Sequence, residues 1–83
     1  MCRNITPLRG LVPAATVEEV EAAALQYVRK VGSLSSVSSA NQEAVDLAVA
    51  RIADATLELL AALPDRRVPP KVDPPLRRLA VGR

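Results

Sequence analysis

The placement of proline constrains this chain of 83 residues more than any other feature of its sequence. All seven prolines lie outside residues 14–63, at Pro7, Pro13, Pro64, Pro69, Pro70, Pro74 and Pro75. Proline breaks a helix interior because it lacks the N–H donor and its ring clashes with the preceding turn. The proline-free middle can therefore form helices, whereas both ends are held in extended or turn conformations. The sequence predicts an all-α fold.

The first helix has clear start and stop signals. Thr16 and Glu19 have the spacing of a capping box, in which each side chain accepts a hydrogen bond from a backbone N–H at the helix start. Apolar residues then recur at helical spacing, at Val17, Val20, Ala24, Tyr27 or Val28, and Val31. We expect this helix to end at Gly32, with the glycine as a left-handed cap.

A second helix is predicted from residue 40 to Leu63. Ser39 and Gln42 again have the spacing of a capping box, and Pro64 is a stop signal. Its apolar residues repeat at alternating spacings of four and three, at Val45, Val49, Ile52, Thr56, Leu59 and Leu63. The short Ser-rich link, residues 33–39, favours an antiparallel helical hairpin.

Two extended segments flank the hairpin. The N-terminal arm, residues 1–15, and the hairpin together form a predicted domain over residues 1–63. Residues 64–83 form a Pro-rich basic tail, in which residues 65–83 carry six bases and two acids. A stiffened cationic strand can lie along a nucleic-acid backbone or an acidic protein groove, and it can equally pack against the chain's own acidic helices. The candidate partner-binding residues of the tail are Arg66, Arg67, Lys71, Arg77 and Arg78.

Several classes of function are disfavoured by what the chain lacks. It has no His and one Cys, so it cannot by itself build a His-based catalytic dyad, a zinc finger or an intramolecular disulfide. Tyr27 is its single aromatic residue, which leaves no stacking platform for single-stranded nucleic acid. The second helix carries one base, Arg51, so sequence-specific DNA recognition is not expected. No apolar run approaches the roughly 20 residues of a membrane span.

Cys2 is the one side chain suited to thiol chemistry or to a soft metal. The adjacent Arg3 favours the thiolate, and Cys2 side chains from several subunits could together form a metal or redox site. Against this, a single Cys near a flexible terminus can simply be incidental. The sequence identifies no cofactor.

Three blocks occur in an order that resembles a known family. MCRNIT opens the chain, QYVRK closes the first helix and ANQEA opens the second. Together they resemble domain-of-unknown-function family 2277, small uncharacterised bacterial proteins that begin MCRNI, although the link GSLSSVSS lacks the Pro that many relatives carry there. The family implies no activity. The resemblance implies that these blocks carry the functional residues, and the partner-binding candidates in them are Arg3, Asn4, Tyr27, Arg29, Lys30 and Asn41.

These features favour a non-enzymatic interaction module. We expect the basic tail and the N-terminal arm to dock on a larger protein or ribonucleoprotein assembly. The alternative is a thiol- or metal-dependent site for redox sensing or ligand binding, built from Cys2 of an oligomer. The apolar stripe of the second helix is wider than a 15-residue partner helix covers, so we expect either the arms or a second copy to cover it, the copy by completing a four-helix bundle. The unpaired Cys2 and the lack of a signal sequence indicate a cytoplasmic protein.

Overall fold

Two helices pack against each other to form the body of the protein. The computed structural model describes residues 4–64 and 73–77. Within them, α1 spans Val17–Val31 and α2 spans Gln42–Ala62. None of the described residues forms a strand, which confirms the all-α prediction. Val20, near the start of α1, shares a buried cluster with Ala53, in the second half of α2, as an antiparallel hairpin requires.

The predicted start of α1 is confirmed. The Thr16 hydroxyl accepts a hydrogen bond from the Glu19 N–H at 3.1 Å. The Glu19 carboxylate accepts in return from the Thr16 N–H at 2.9 Å. Both halves of the capping box are therefore formed, and α1 begins at the next residue, Val17.

The predicted left-handed cap at Gly32 is wrong. Gly32 has a right-handed conformation, and Ser33 has the positive φ of 55°. The Leu34 N–H donates to the Arg29 carbonyl and the Ser33 N–H to the Lys30 carbonyl, which is the Schellman pattern with Ser33 as its left-handed residue. A Cβ at position 32 would lie 3.1 Å from the Val28 carbonyl oxygen, a tight contact that glycine avoids.

The predicted capping box at Ser39 is also wrong. Residues 39–41 form a turn, α2 begins at Gln42, and Asn41 is the N-cap residue without a side-chain capping bond. The Gln42 amide donates to the Asp46 carboxylate at 2.7 Å instead of reaching back to the backbone at position 39. At its other end, α2 stops as predicted, because Leu63 is extended ahead of Pro64.

The N-terminal arm completes the core. Leu8 and Leu11 are 9% and 7% exposed, and they cluster with Val20 of α1 and Ala53 of α2. Gly10 lies between the two leucines with a φ of 85°, a conformation that a residue with a Cβ rarely adopts. The turn at this glycine lets both leucines point to the same core. The arm therefore covers part of the apolar stripe of α2, one of the two coverings expected from the sequence.

Part of the tail also packs on the hairpin. Pro74 is buried, and residues 75–77 form one helical turn in which the Arg77 N–H donates to the Pro74 carbonyl at 3.0 Å. In the described ranges, 4–64 and 73–77, no helix combines the length and the apolar composition that crossing a membrane requires.

Candidate functional site

Arg77 binds the tail to the start of α1. Its Nε donates to Glu19 Oε2 at 2.6 Å, and one Nη donates to Glu19 Oε1 at 3.0 Å. The same Nη group donates to the carbonyls of Pro13 and Ala14 at 2.7 and 3.0 Å. We call this arrangement of Arg77, Glu19 and the two carbonyls the tail anchor. It joins the N-terminal arm, α1 and the tail at one point.

Glu19 is the buried carboxylate of the tail anchor. It is 4% exposed, and its carboxylate accepts hydrogen bonds both from Arg77 and from the capping box. The hydrogen bonds from Arg77 hold the pKa of Glu19 below its ordinary value, even though burial acts in the opposite direction. The carboxylate therefore stays ionised, as a two-point contact with a guanidinium favours.

The tail anchor makes stability depend on pH in the acid range. Because the pKa of Glu19 is lower in the folded than in the unfolded chain, its contribution is complete above the ordinary value of 4.5 and is lost as the pH falls through the folded pKa. We expect the urea midpoint to fall between pH 5 and 3 more steeply in the wild type than in a Glu19→Gln variant. Equal slopes for the two proteins would contradict this assignment.

The N-terminal arm also holds the beginning of the tail. Arg9 Nε donates to the carbonyl of Pro64 at 2.8 Å. Pro64 and Arg77, which lie on either side of residues 65–72 in the sequence, are therefore both bound to the arm.

A second polar cluster lies where the first block of the chain meets α1. The backbone N–H of Asn4 donates to Gln26 Oε1 at 3.1 Å. Arg29 Nε donates to the carbonyl of Leu34 at 3.2 Å, and its Nη group donates to the carbonyl of Ser35. Asn4, Gln26, Arg29 and Leu34 line one cavity of about 290 Å³. The structure therefore places Asn4 of the MCRNIT block in contact with the QYVRK block.

An apolar groove opens between the N-terminal arm, α1 and α2, and we call it the arm groove. Its volume is about 410 Å³. Its rim includes three large apolar side chains that are about half exposed, Ile5, Tyr27 and Leu59. Its remaining lining residues are Thr6, Pro7, Leu8, Arg9, Val20, Ala23, Ala24, Ile52, Thr56, Leu60 and Leu63.

The predicted partner-binding residues have different environments. Asn4 and Arg29 share the polar cavity, and Tyr27, 51% exposed, lies on the arm groove. Lys30 and Asn41 are exposed at the helix ends that face the link. Arg77 is bound within the chain by the tail anchor.

Other predicted residues lie outside the described ranges. They are Cys2, Arg3, Arg66, Arg67, Lys71 and Arg78. Across residues 4–64 and 73–77, no group of three or more potential ligands among Cys, Asp and Glu is placed to hold a metal ion.

Comparison with known proteins identifies the family. The family model described as an uncharacterized conserved protein, DUF2277, matches residues 1–82. The chain belongs to the DUF2277 family. No curated protein and no solved structure matches this DUF2277 chain. The resemblance carried by the three sequence blocks is therefore confirmed, and two of those blocks meet in space at the contact between Asn4 and Gln26.

Three residues of the DUF2277 chain matter more in the structure than their sequence context indicated. Thr6 and Arg9 were not among the predicted site residues, yet both line the arm groove. Glu19 was predicted as a capping residue, and the structure shows that it also binds Arg77, 58 positions along the chain. The sequence around Thr6 and Arg9 carries no signal for this position, because α2 supplies the far wall of the groove.

Proposed function

We propose that this protein is a non-enzymatic helical interaction module that docks its N-terminal arm and its basic tail together on a larger protein or ribonucleoprotein assembly. One observation supports the proposal most: Arg9 and Arg77 fasten both flanks of the segment 65–72 to the arm. The arm and the tail can then act as parts of one surface. We propose that it acts in the cytoplasm, where a single unpaired cysteine is usual.

The charge of the tail sets the chemistry of the proposed partner. Arg66, Arg67 and Lys71 fall between the two anchored points in the sequence, so their charges belong to the proposed surface. Such a cluster favours RNA phosphates or an acidic protein surface. Duplex DNA read through its bases is a poorer match, because Arg51 is the one base of α2.

Neutralising these three cations tests the proposal. In an Arg66→Gln, Arg67→Gln, Lys71→Gln variant, Arg77 is retained so that the tail anchor stays intact. In a sedimentation gradient of host lysate at about 0.15 M salt, we expect the fraction that travels with a large assembly to fall at least tenfold. Arg51→Gln, an exposed base on α2, is the matched control and should sediment as the wild type does. Ribonuclease treatment separates an RNA-containing partner from a protein.

Two results would contradict this function. A triple variant that sediments like the wild type would remove the tail from the interface. A wild type found only at the top of the gradient would argue against any larger assembly.

We further propose that the module self-associates as a dimer, with two hairpins forming a four-helix bundle. Leu47 and Leu59 support this, because α2 leaves them 52% and 54% exposed and a second copy would remove them from water. Analytical ultracentrifugation of the purified protein distinguishes the two states. Twice the chain mass is expected, and a single chain mass at about 100 μM, well above typical dissociation constants of specific dimers, would contradict the dimer.

A further inference from the structure

The arm groove contains a polar group for which the fold supplies no partner. Thr6 Oγ1 is buried, and within the described part of the chain it is the one buried side-chain oxygen or nitrogen without a hydrogen bond. Buried hydroxyls are nearly always hydrogen-bonded, because leaving one unpaired is costly. Thr56, the other hydroxyl of the groove, is satisfied, since it donates to the Ile52 carbonyl at 2.7 Å. Thr6 is thus the exception, and because its Oγ1 is buried, the side chain must turn toward the groove before the hydroxyl can reach an external acceptor.

The size and the lining of the groove suit a small amphipathic molecule. Its volume of about 410 Å³ lies within the range of about 300–1,000 Å³ found for small-molecule sites. Such sites are mainly apolar and carry a few polar groups that orient the ligand. Here the apolar walls come from both helices, and the lining residues that carry polar groups are Thr6, Arg9, Tyr27 and Thr56.

The charge of the groove lining indicates the sign of the charge that a ligand would carry. Arg9 is the one charged residue among the described residues that line the arm groove. Its Nε is held by the Pro64 carbonyl, which fixes the guanidinium, while no described residue binds its two Nη groups. A guanidinium whose Nη groups bind none of the described residues is suited to a carboxylate.

We propose that the arm groove binds an amphipathic monocarboxylate, a molecule with a hydrocarbon body and one carboxylate. The carboxylate pairs with the Nη groups of Arg9, and the Thr6 hydroxyl, once its side chain turns toward the groove, donates to a ligand oxygen. The hydrocarbon body lies against α1 and α2, on Val20, Ala24 and Ile52. This site lies within one chain, and Arg9 connects it to the proposed interaction surface, because its Nε donates to the Pro64 carbonyl.

Titration with decanoate, below its micellar concentration, tests the proposal on the full-length protein. We expect saturable one-to-one binding by calorimetry, with amide shifts in the NMR spectrum at Ile5, Thr6 and Tyr27. Arg9→Gln should weaken binding about tenfold, the worth of one charge-assisted pair, whereas Arg51→Gln should leave it unchanged. Octanoate should bind about tenfold more weakly than decanoate, because it buries two fewer methylene groups. Decanol, which has no charge, should bind the wild type more weakly than decanoate does. The two ligands should bind the Arg9→Gln variant with equal affinity.

Thr6→Val separates ligand binding from structure. The substitution keeps the shape of the side chain and removes an unpaired buried hydroxyl, so we expect the melting temperature to stay the same or to rise. Decanoate binding should nevertheless weaken several-fold. A fall in melting temperature with unchanged binding would show that the hydroxyl serves the fold, and would overturn its role here.

The remaining outcomes also decide the matter. Binding that does not saturate, decanol that binds as tightly as decanoate, or an Arg9→Gln variant with wild-type affinity would each overturn the proposal.

Leu47→Asp is the control for self-association, because Leu47 does not line the groove and its exposure of 52% resembles that of Leu59. We expect Leu47→Asp to retain decanoate binding and Leu59→Asp to lose it. Loss in both variants would mean that binding requires a second copy, and would overturn the placement of the site within one chain.

Discussion

Replacing Glu19 with alanine is expected to lower the free energy of unfolding by about 3–5 kcal/mol, the usual cost of removing one partner from a buried ion pair. The variant would leave the Arg77 guanidinium without its carboxylate, although its side chain is 17% exposed. It would also remove half of the capping box at Thr16. Because small domains are typically stable by only about 5–15 kcal/mol, much of the fold's stability depends on this side chain. Urea unfolding followed by circular dichroism measures the change.

Matched variants separate the two roles of Glu19. Glu18→Ala, an exposed neighbour in the same helical turn, should change stability by less than about 0.5 kcal/mol. Arg77→Ala alone should cause most of the destabilisation that Glu19→Ala causes. The double variant should show strong coupling between the two residues. Additive effects of the two substitutions would contradict the tail anchor as the source of the stability.

Leu11→Ala should also be strongly destabilising, by about 2–4 kcal/mol, because removing buried leucine atoms leaves a cavity. The expectation is specific to this structure, since Leu11 belongs to an arm near the start of the chain and would otherwise be expected to fray. Leu11 is 7% exposed and packs in the core with Val20 and Ala53. Thermal unfolding by calorimetry is the measurement.

Val12 provides the control for this prediction. It follows Leu11 directly, yet it is 81% exposed, so Val12→Ala should change stability by less than about 0.5 kcal/mol. If the two variants unfolded at the same temperature, the arm would not be part of the core.

The helices could be predicted from the sequence because their signals are local. Thr16 and Glu19 are three positions apart, and the capping box that they form needs nothing from the rest of the chain. Pro64 likewise ends α2 through its own geometry. The periodic apolar residues then indicate which faces of the two helices meet.

The errors arose where two local solutions compete. Gly32 has the residue type of a left-handed cap, but the Schellman bonds of Leu34 and Ser33 place that conformation one position later. Ser39 and Gln42 have capping-box spacing, but the Gln42 amide donates to Asp46 on the following turn. A four-residue motif cannot reveal which of two hydrogen-bond partners is closer.

The candidate site was predictable only in part because it is built from distant segments. The resemblance to the DUF2277 family directed attention to Asn4 and Arg29, which do share a cavity. The tail was expected either to reach outwards or to pack on its own acidic helices, and Arg77 does the second by binding Glu19. Nothing local to Arg9 or Thr6 shows that a groove passes beside them, since α2 supplies its far wall.

The tail anchor has a kinetic consequence. The capping-box bonds join residues three positions apart, whereas the bonds of Arg77 join residues 58 to 64 positions apart. Closing the longer loop costs more chain entropy, so we expect the hairpin to assemble before Arg77 reaches Glu19. Contacts that form after the transition state slow unfolding with little effect on folding. We therefore expect the bonds of Arg77 to form late in folding, so that they lower the unfolding rate more than they raise the folding rate.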